Sequence, residues 1–136
     1  MIITAPQTVK LDIYYQTQRT NFIAAMLMLK TTSFVLPPGQ ENFRINMLCR
    51  PKIFRMHIFN ILYHTHSLGR GNSVFYKRTN ETQWNLLGER SPQRPQDFVP
   101  LTQPLDLTSD FEFLSRCIYD TTTLEESLKN GYASCT

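Results

Sequence analysis

The sequence is poor in charge, in glycine and in long apolar runs. Charged residues make up 18% of the 136, and 14 basic against 11 acidic side chains leave a net charge of +3. The basic residues, Arg44, Arg50, Lys52, Arg70 and Arg94 among them, are scattered with no block or stripe to track phosphates, so no nucleic-acid partner is expected. The 5 glycines make neither a phosphate-cradling loop nor a GxSxG elbow. The best apolar run, residues 22–29, is far too short for a bilayer, so no transmembrane segment is expected. The opening MIITAPQTVK has no basic region followed by an apolar core, so no signal peptide is expected in this stretch, and the compartment stays open. The 3 cysteines, Cys49, Cys117 and Cys135, form no CxxC, which argues against structural zinc; two can pair and leave one over.

What is present is a globular composition, 41% hydrophobic with aromatics along most of the chain. Short apolar or alternating runs are separated by Pro, Gly, Asn and Ser. Residues 11–15 read as a strand, and residues 22–29 as helix or strand, which period alone does not separate. VLPPGQEN is a turn. Phe43, Ile45, Met47 and Cys49 alternate on one face, a strand signature. Residues 53–66 are strand-like, residues 72–78 and 82–87 flank a hairpin loop, and residues 114–119 form a last strand. GERSPQRPQDFVPLTQP is extended, because its prolines exclude a helix. TLEESLKNG has helix chemistry, with Thr123 and Glu126 as a capping box and Gly131 as a stop. Many short strands between turn signals predict an all-β, antiparallel β-sandwich of jelly-roll type, as one domain over residues 1–136.

The chemistry concentrates in ILYHTHSLGRG. On a strand His64 and His66 point to the same face with Cα atoms about 6.6 Å apart, close enough for both rings to reach one ion at roughly 2.0 Å from each nitrogen. The spacing is a half-site for zinc, copper, iron or nickel. It is equally the pattern of two polar residues on a wet strand face. His57, an odd separation away, faces the other side if the strand is regular. Met26, Met28, Met47 and Met56 have a plain reading as core filler; a thioether beside two imidazoles selects copper. Cys49 and Cys117 sit in apolar strands, where inert thiols or disulfides are the default. Asp106, Asp110 and Glu112 read as strand-flanking surface residues. Asn80, in Asn-Glu-Thr, is a glycosylation sequon.

The stretches MHIFNILYHTHSLGR, QWNLLGERSPQRPQDFVPLTQPLDLT and LSRCIYD, with the upstream IAAMLML and VLPPG, resemble the C-terminal copper domain of the copper type II, ascorbate-dependent monooxygenases. On QW-L-G---PQ-PQ-F-P and P-D-T the resemblance is closer to the peptidylglycine α-hydroxylating members than to the dopamine β-hydroxylating ones. It implies a β-sandwich that binds one copper through His64, His66 and a later methionine, beside an N-terminal domain with a second copper. It implies ascorbate as reductant and hydroxylation of the glycine α-carbon of C-terminally glycine-extended peptides, the first step of peptide amidation. It also implies a secretory-granule or extracellular home, with Asn80 as support.

The departures from that pattern carry expectations of their own. The N-terminal copper domain is absent from these residues, so the chain is expected to be an incomplete domain, lacking the neighbour that supplies an electron and inactive alone. The family's methionine ligand directly precedes a cysteine, where Ser134 precedes Cys135 here. Either serine replaces the ligand and Cys117 pairs with Cys135, the reading we prefer, or the ligand segment is lost and Cys49 pairs with Cys135. Leu62 stands where the family carries the arginine for the substrate carboxylate, and Lys30 where its pocket has a methionine. Leucine offers neither hydrogen bond nor charge to a carboxylate. The copper site is therefore expected to be incomplete and the peptide substrate uncertain. The alternative is a non-catalytic β-sandwich of the same fold, used as a protein-interaction module.

Overall fold

Backbone amides in a short, proline-interrupted chain are satisfied most directly by antiparallel pairing of neighbouring runs, and the computed structural model shows that solution from Val35 onward. The structure describes residues 8–31, 34–52, 55–108 and 110–129. Eight strands run in chain order: β1 (Val35–Leu36), β2 (Phe43–Cys49), β3 (Arg55–Leu62), β4 (Gly69–Arg78), β5 (Asn85–Arg90), β6 (Phe98–Thr108), β7 (Phe111–Tyr119) and β8 (Leu128–Lys129). They form a four-stranded sheet of order β2-β7-β4-β5 and two-stranded sheets β3-β6 and β1-β8, all antiparallel. The expected all-β sandwich is thus observed.

The main core lies between the four-stranded sheet and the β3-β6 pair. Tyr63, Val74, Leu107, Phe111 and Phe113 are buried there with Leu29 from the N-terminal segment, and Met47, Met56, Ile58 and Ile61 pack against them. In β2 the predicted alternation holds, with Phe43, Ile45, Met47 and Cys49 turned inward and Arg44, Asn46 and Leu48 exposed. A second cluster of Leu36, Cys117 and Tyr119 packs under Phe34, Phe43, Leu68 and Leu124. The VLPPGQEN turn is fastened to it. Thr121, fully buried, donates its backbone N–H to the Gln40 carbonyl at 2.7 Å, and its hydroxyl accepts from the Gln40 amide at 3.0 Å. Gly39 takes φ +71° in this turn, a conformation that favours glycine.

Several expectations are corrected. Residues 11–15 form no strand: Leu11, Ile13 and Tyr15 alternate as a strand would, but the side chains are exposed and no ladder among the described residues receives them. Residues 22–29 have no regular structure either, and Met26 and Met28 are exposed rather than core filler. The strand expected over residues 53–66 is shorter, with β3 ending at Leu62; Ile53 and Phe54 lie outside the described residues. β7 begins at Phe111, and a further short strand follows it. The helix expected in TLEESLKNG is not formed: Leu128 and Lys129 pair with Leu36 and Val35. Two turns of helix are too short to hold without packing, so tertiary pairing overrides local propensity. Gly131 lies outside the described residues. Glu112 is buried, not a surface residue, and is neutralised by Arg50 at 2.6 Å and Lys77 at 3.4 Å. A buried carboxylate persists only with such partners.

Cys49 is a free thiol, pushed up in pKa by burial, so the pairing of Cys49 with Cys135 is not made. Cys117, on β7, is disulfide-bonded, and Cys135 lies outside the described residues.

The buried Tyr119 makes the fold sensitive to alkali. Burial raises its phenol from an ordinary pKa of 10.0 to about 12. The native state keeps the proton longer than the unfolded chain, so stability is whole below pH 10 and falls as pH rises towards 12, by on the order of 2–3 kcal/mol from this group. Urea unfolding at pH 9 and pH 11 should show the loss, and Tyr119→Phe should shrink the difference between the two.

Candidate metal centre

The His-Thr-His segment lies where the chain leaves one sheet and enters the other. β3 ends at Leu62, residues 63–66 continue in extended form, residues 67 and 68 turn, and β4 begins at Gly69. The two histidines are therefore in an inter-sheet connection, not on a strand as expected. The alternation survives. Tyr63 and Thr65 are buried at 4% and 2% exposure, which turns His64 and His66 to the other side. Their ring centroids are 5.2 Å apart at an interplanar angle of 77°.

His57 departs from the expected side. The β3-β6 ladder jumps from Ile58 with Leu105 to Asn60 with Pro100. That irregularity shifts the inward positions from Met56 and Ile58 to Ile61 and Tyr63. His57 thus shares the outward side with His64 and His66, and what separates it from them is length, about 23 Å for seven extended residues. It is engaged elsewhere, with Nδ1 at 2.8 Å from Asp106 Oδ1.

Close packing fixes the buried residues of the connection. A Cβ at Gly69 would overlap the Thr65 hydroxyl, and one at Gly88 would overlap the Tyr63 hydroxyl, so a glycine stands under each. Burial, with Glu89 adding to it and Arg90 opposing, pushes the Tyr63 phenol to about 12. Thr65 Oγ1 is buried with no hydrogen-bond partner.

The backbone around the histidines is held from outside. With its side-chain amide oriented to satisfy both neighbours, buried Asn72 accepts from the His64 N–H at 3.2 Å and donates to the Gly71 carbonyl at 3.0 Å. Gln96 Nε2 donates to the Thr65 carbonyl at 2.8 Å, and Gln93 Nε2 to the Gly69 carbonyl at 2.7 Å. Arg70 donates to the Ser67 carbonyl at 2.8 Å and faces Asp120 at 3.5 Å. Asp120 is held below the usual carboxylate range, first by the Thr122 hydroxyl and backbone and then by Arg70.

The family model described as "Copper type II ascorbate-dependent monooxygenase, C-terminal domain" matches residues 22–135. The chain belongs to this family. It is 35% identical over 97 residues, 71% of its length, to the peptidylglycine alpha-amidating monooxygenases of Rattus norvegicus and Mus musculus. It is 32% identical over 102 residues to peptidyl-glycine alpha-amidating monooxygenase B of Xenopus laevis. The matched part is 10% of the rat and mouse relatives and 11% of the Xenopus one, so the chain spans about a tenth of their length.

The donor set suits the family's metal in part. A nitrogen at about 2.0 Å from an ion puts its ring centre about 1 Å farther out, so two ring centres on one ion lie within about 6 Å of each other. His64 and His66 meet that limit at 5.2 Å. Among the described residues no group of three His, Cys, Asp or Glu side chains is placed to hold one ion. Met47 and Met56 are occupied in the core. Leu62 and Phe98 are opposed in the β3-β6 ladder, so an apolar pair borders His64.

Reading residue types for chemistry missed Asn72, Gln93 and Gln96, which are not metal ligands. The signal for Gln93 and Gln96 was present as the repeated Pro-Gln of SPQRPQ, which carried the family resemblance without a physical role. The orphaned Thr65 hydroxyl gives a clean test. Thr65→Val keeps the shape and removes a buried polar atom that costs on the order of 1–3 kcal/mol unpaired. Chemical denaturation should find the variant as stable as the parent or more so, by about 1 kcal/mol; a loss of that size would mean that the hydroxyl is satisfied after all.

Proposed function

We propose that the chain is a copper-binding domain of a peptidylglycine monooxygenase, with His64 and His66 as its nitrogen ligands. The observation that carries this reading is the pair of imidazoles at 5.2 Å, turned outward by the burial of Tyr63 and Thr65. When bound, copper supplies the redox chemistry that lets dioxygen hydroxylate a C–H bond with ascorbate as reductant. The residues of this chain contribute two neutral nitrogen donors, held at one side of a fixed backbone. The intended substrate is a glycine-extended peptide, but Leu62, opposed by Phe98, stands at the family's arginine position and offers its carboxylate neither charge nor hydrogen bond. The isolated chain is expected to bind copper without turnover, because its described residues supply two donors and the family's second copper belongs to another domain.

Cys135 is proposed as the partner of Cys117, since Cys49 is free. On that pairing Ser134 occupies the family's methionine-ligand position, which leaves the site incomplete. A secretory or extracellular home suits both the disulfide and the sequon. Asn80 is exposed in the turn after β4, closed by the Glu81 N–H to Arg78 carbonyl bond at 2.9 Å. It sits at the opposite end of β4 from the histidines, so a glycan there leaves them open.

A second reading, a protein-interaction module, is favoured by one surface. Across the outward side of the four-stranded sheet Leu48, Leu114, Phe75 and Leu86 stand in one row. Leu48 and Leu86 are 53% and 51% exposed. This reading expects partner binding that chelators leave untouched.

Two measurements test these assignments. Cu(I) at about a hundred times its dissociation constant should raise the melting temperature by roughly 10 °C, because binding to the native state alone adds about 2.7 kcal/mol. His64→Ala with His66→Ala should abolish the rise; an unchanged rise would remove these residues as ligands. Expressed behind a signal sequence in a glycosylating cell, the chain should lose mass on treatment with an N-glycosidase, and Asn80→Gln should show no such loss.

A further inference from the structure

In most connections between strands the carbonyls face water. Here five in succession have protein partners. The Thr65 carbonyl accepts from Gln96 at 2.8 Å, His66 from the Gly69 N–H at 2.9 Å, and Ser67 from Arg70 at 2.8 Å. The Leu68 carbonyl accepts from the Asp120 N–H at 2.9 Å and Gly69 from Gln93 at 2.7 Å. Ahead of them the His64 N–H is taken by Asn72. Bonds at consecutive peptides restrain the backbone that carries the two imidazoles, which leaves their χ1 and χ2 torsions as the main freedom between them.

The two glutamines come from a loop that is itself fixed. Pro92 and Pro95 lock their own φ angles. Gln96 Nε2 also donates to the Pro92 carbonyl at 3.0 Å, and the Arg94 N–H reaches the Ser91 carbonyl at 3.2 Å. Arg90 donates to the Pro95 carbonyl at 3.0 Å and pairs with Asp97 at 3.2 Å. Gln93 and Gln96 are both exposed, so neither fills the core. Exposed side chains on a rigid loop, each aimed at a carbonyl of the histidine connection, have little to do for global stability.

We propose that Gln96, Gln93 and Asn72 are positioning residues that set the separation and orientation of the His64 and His66 rings, so that a metal ion finds them prearranged. The proposal rests on the copper reading of the two histidines. Residues that orient ligands in this way typically change metal affinity 10- to 100-fold when removed. Gln96 carries the largest effect, because it holds the peptide between the two histidines.

The test uses the full chain with Gln96→Met and Gln93→Met, which keep the length and remove the donor, and Gln96→Glu, which sets a carboxylate against the Thr65 carbonyl. Gln83→Met, at an exposed position in the β4–β5 connection, is the control. Cu(I) affinity is read by competition with a chromophoric chelator, and the melting temperature of the metal-free chain is read alongside it. The expected result is a 10- to 100-fold weaker affinity in Gln96→Met, a larger loss in Gln96→Glu, a smaller one in Gln93→Met and none in Gln83→Met, with metal-free melting within a few degrees of the parent. Equal affinity in all four variants overturns the proposal, and so does a loss of affinity that merely follows a loss of melting temperature. A readout without metal separates this from the copper reading. Hydrogen exchange at the His64 and His66 amides and the sharpness of their ring-proton resonances should change in Gln96→Met and in Asn72→Ala. If the His64→Ala, His66→Ala chain binds copper like the parent, the ligand assignment falls, while unchanged exchange and resonances in the metal-free variants sink the clamp.

Discussion

Burial of Tyr63 and Thr65 is the constraint on which the rest of the molecule depends. The chain must pass from the β3-β6 pair to the middle of the four-stranded sheet. The short extended crossing does so by putting alternate side chains into the core. Once Tyr63 and Thr65 are inside, His64 and His66 have nowhere to point but outward. The buried residues also dictate their neighbours, since Gly69 and Gly88 leave room for the two hydroxyls. A connection outside any ladder must find partners for its carbonyls elsewhere, and the glutamines of SPQRPQ supply two of them.

The arrangement joins packing to chemistry in a definite direction. Hydrophobic burial selects the side of the backbone, hydrogen bonds from a proline-locked loop fix its path, and the imidazoles inherit a geometry they do not create. The two histidines stand at one end of β4, while the sequon and the buried Glu112 with Arg50 and Lys77 lie towards the other. The two ends are therefore separated by the length of the strand. The outward row of Leu48, Leu114, Phe75 and Leu86 occupies a third surface, bordered by Arg116, whose guanidinium lies over the Phe75 ring.

Much of this was legible in the residues. The alternation of Phe43, Ile45, Met47 and Cys49 gave β2, and the turn signals gave the hairpin of β4 and β5. The errors share a cause. Residues 11–15 and TLEESLKNG carry strand and helix patterns, but local preference is worth little until a packing partner exists. The parity expectation for His57 failed because a ladder irregularity changes which face is inward, and such a slip leaves no composition signal.

The sequence by itself determined the fold class, the family and the placing of His64 and His66 on one side of the backbone, because periodicity and motif are properties of residue order. Only the tertiary structure decided that these histidines lie in a crossing between sheets, that His57 shares their side but not their neighbourhood, and that Glu112 is buried. It alone revealed Asn72, Gln93 and Gln96 around the histidine backbone. Those facts depend on which segments meet in space. Residues 24 to 31 apart in the chain become hydrogen-bond partners only after the core has closed.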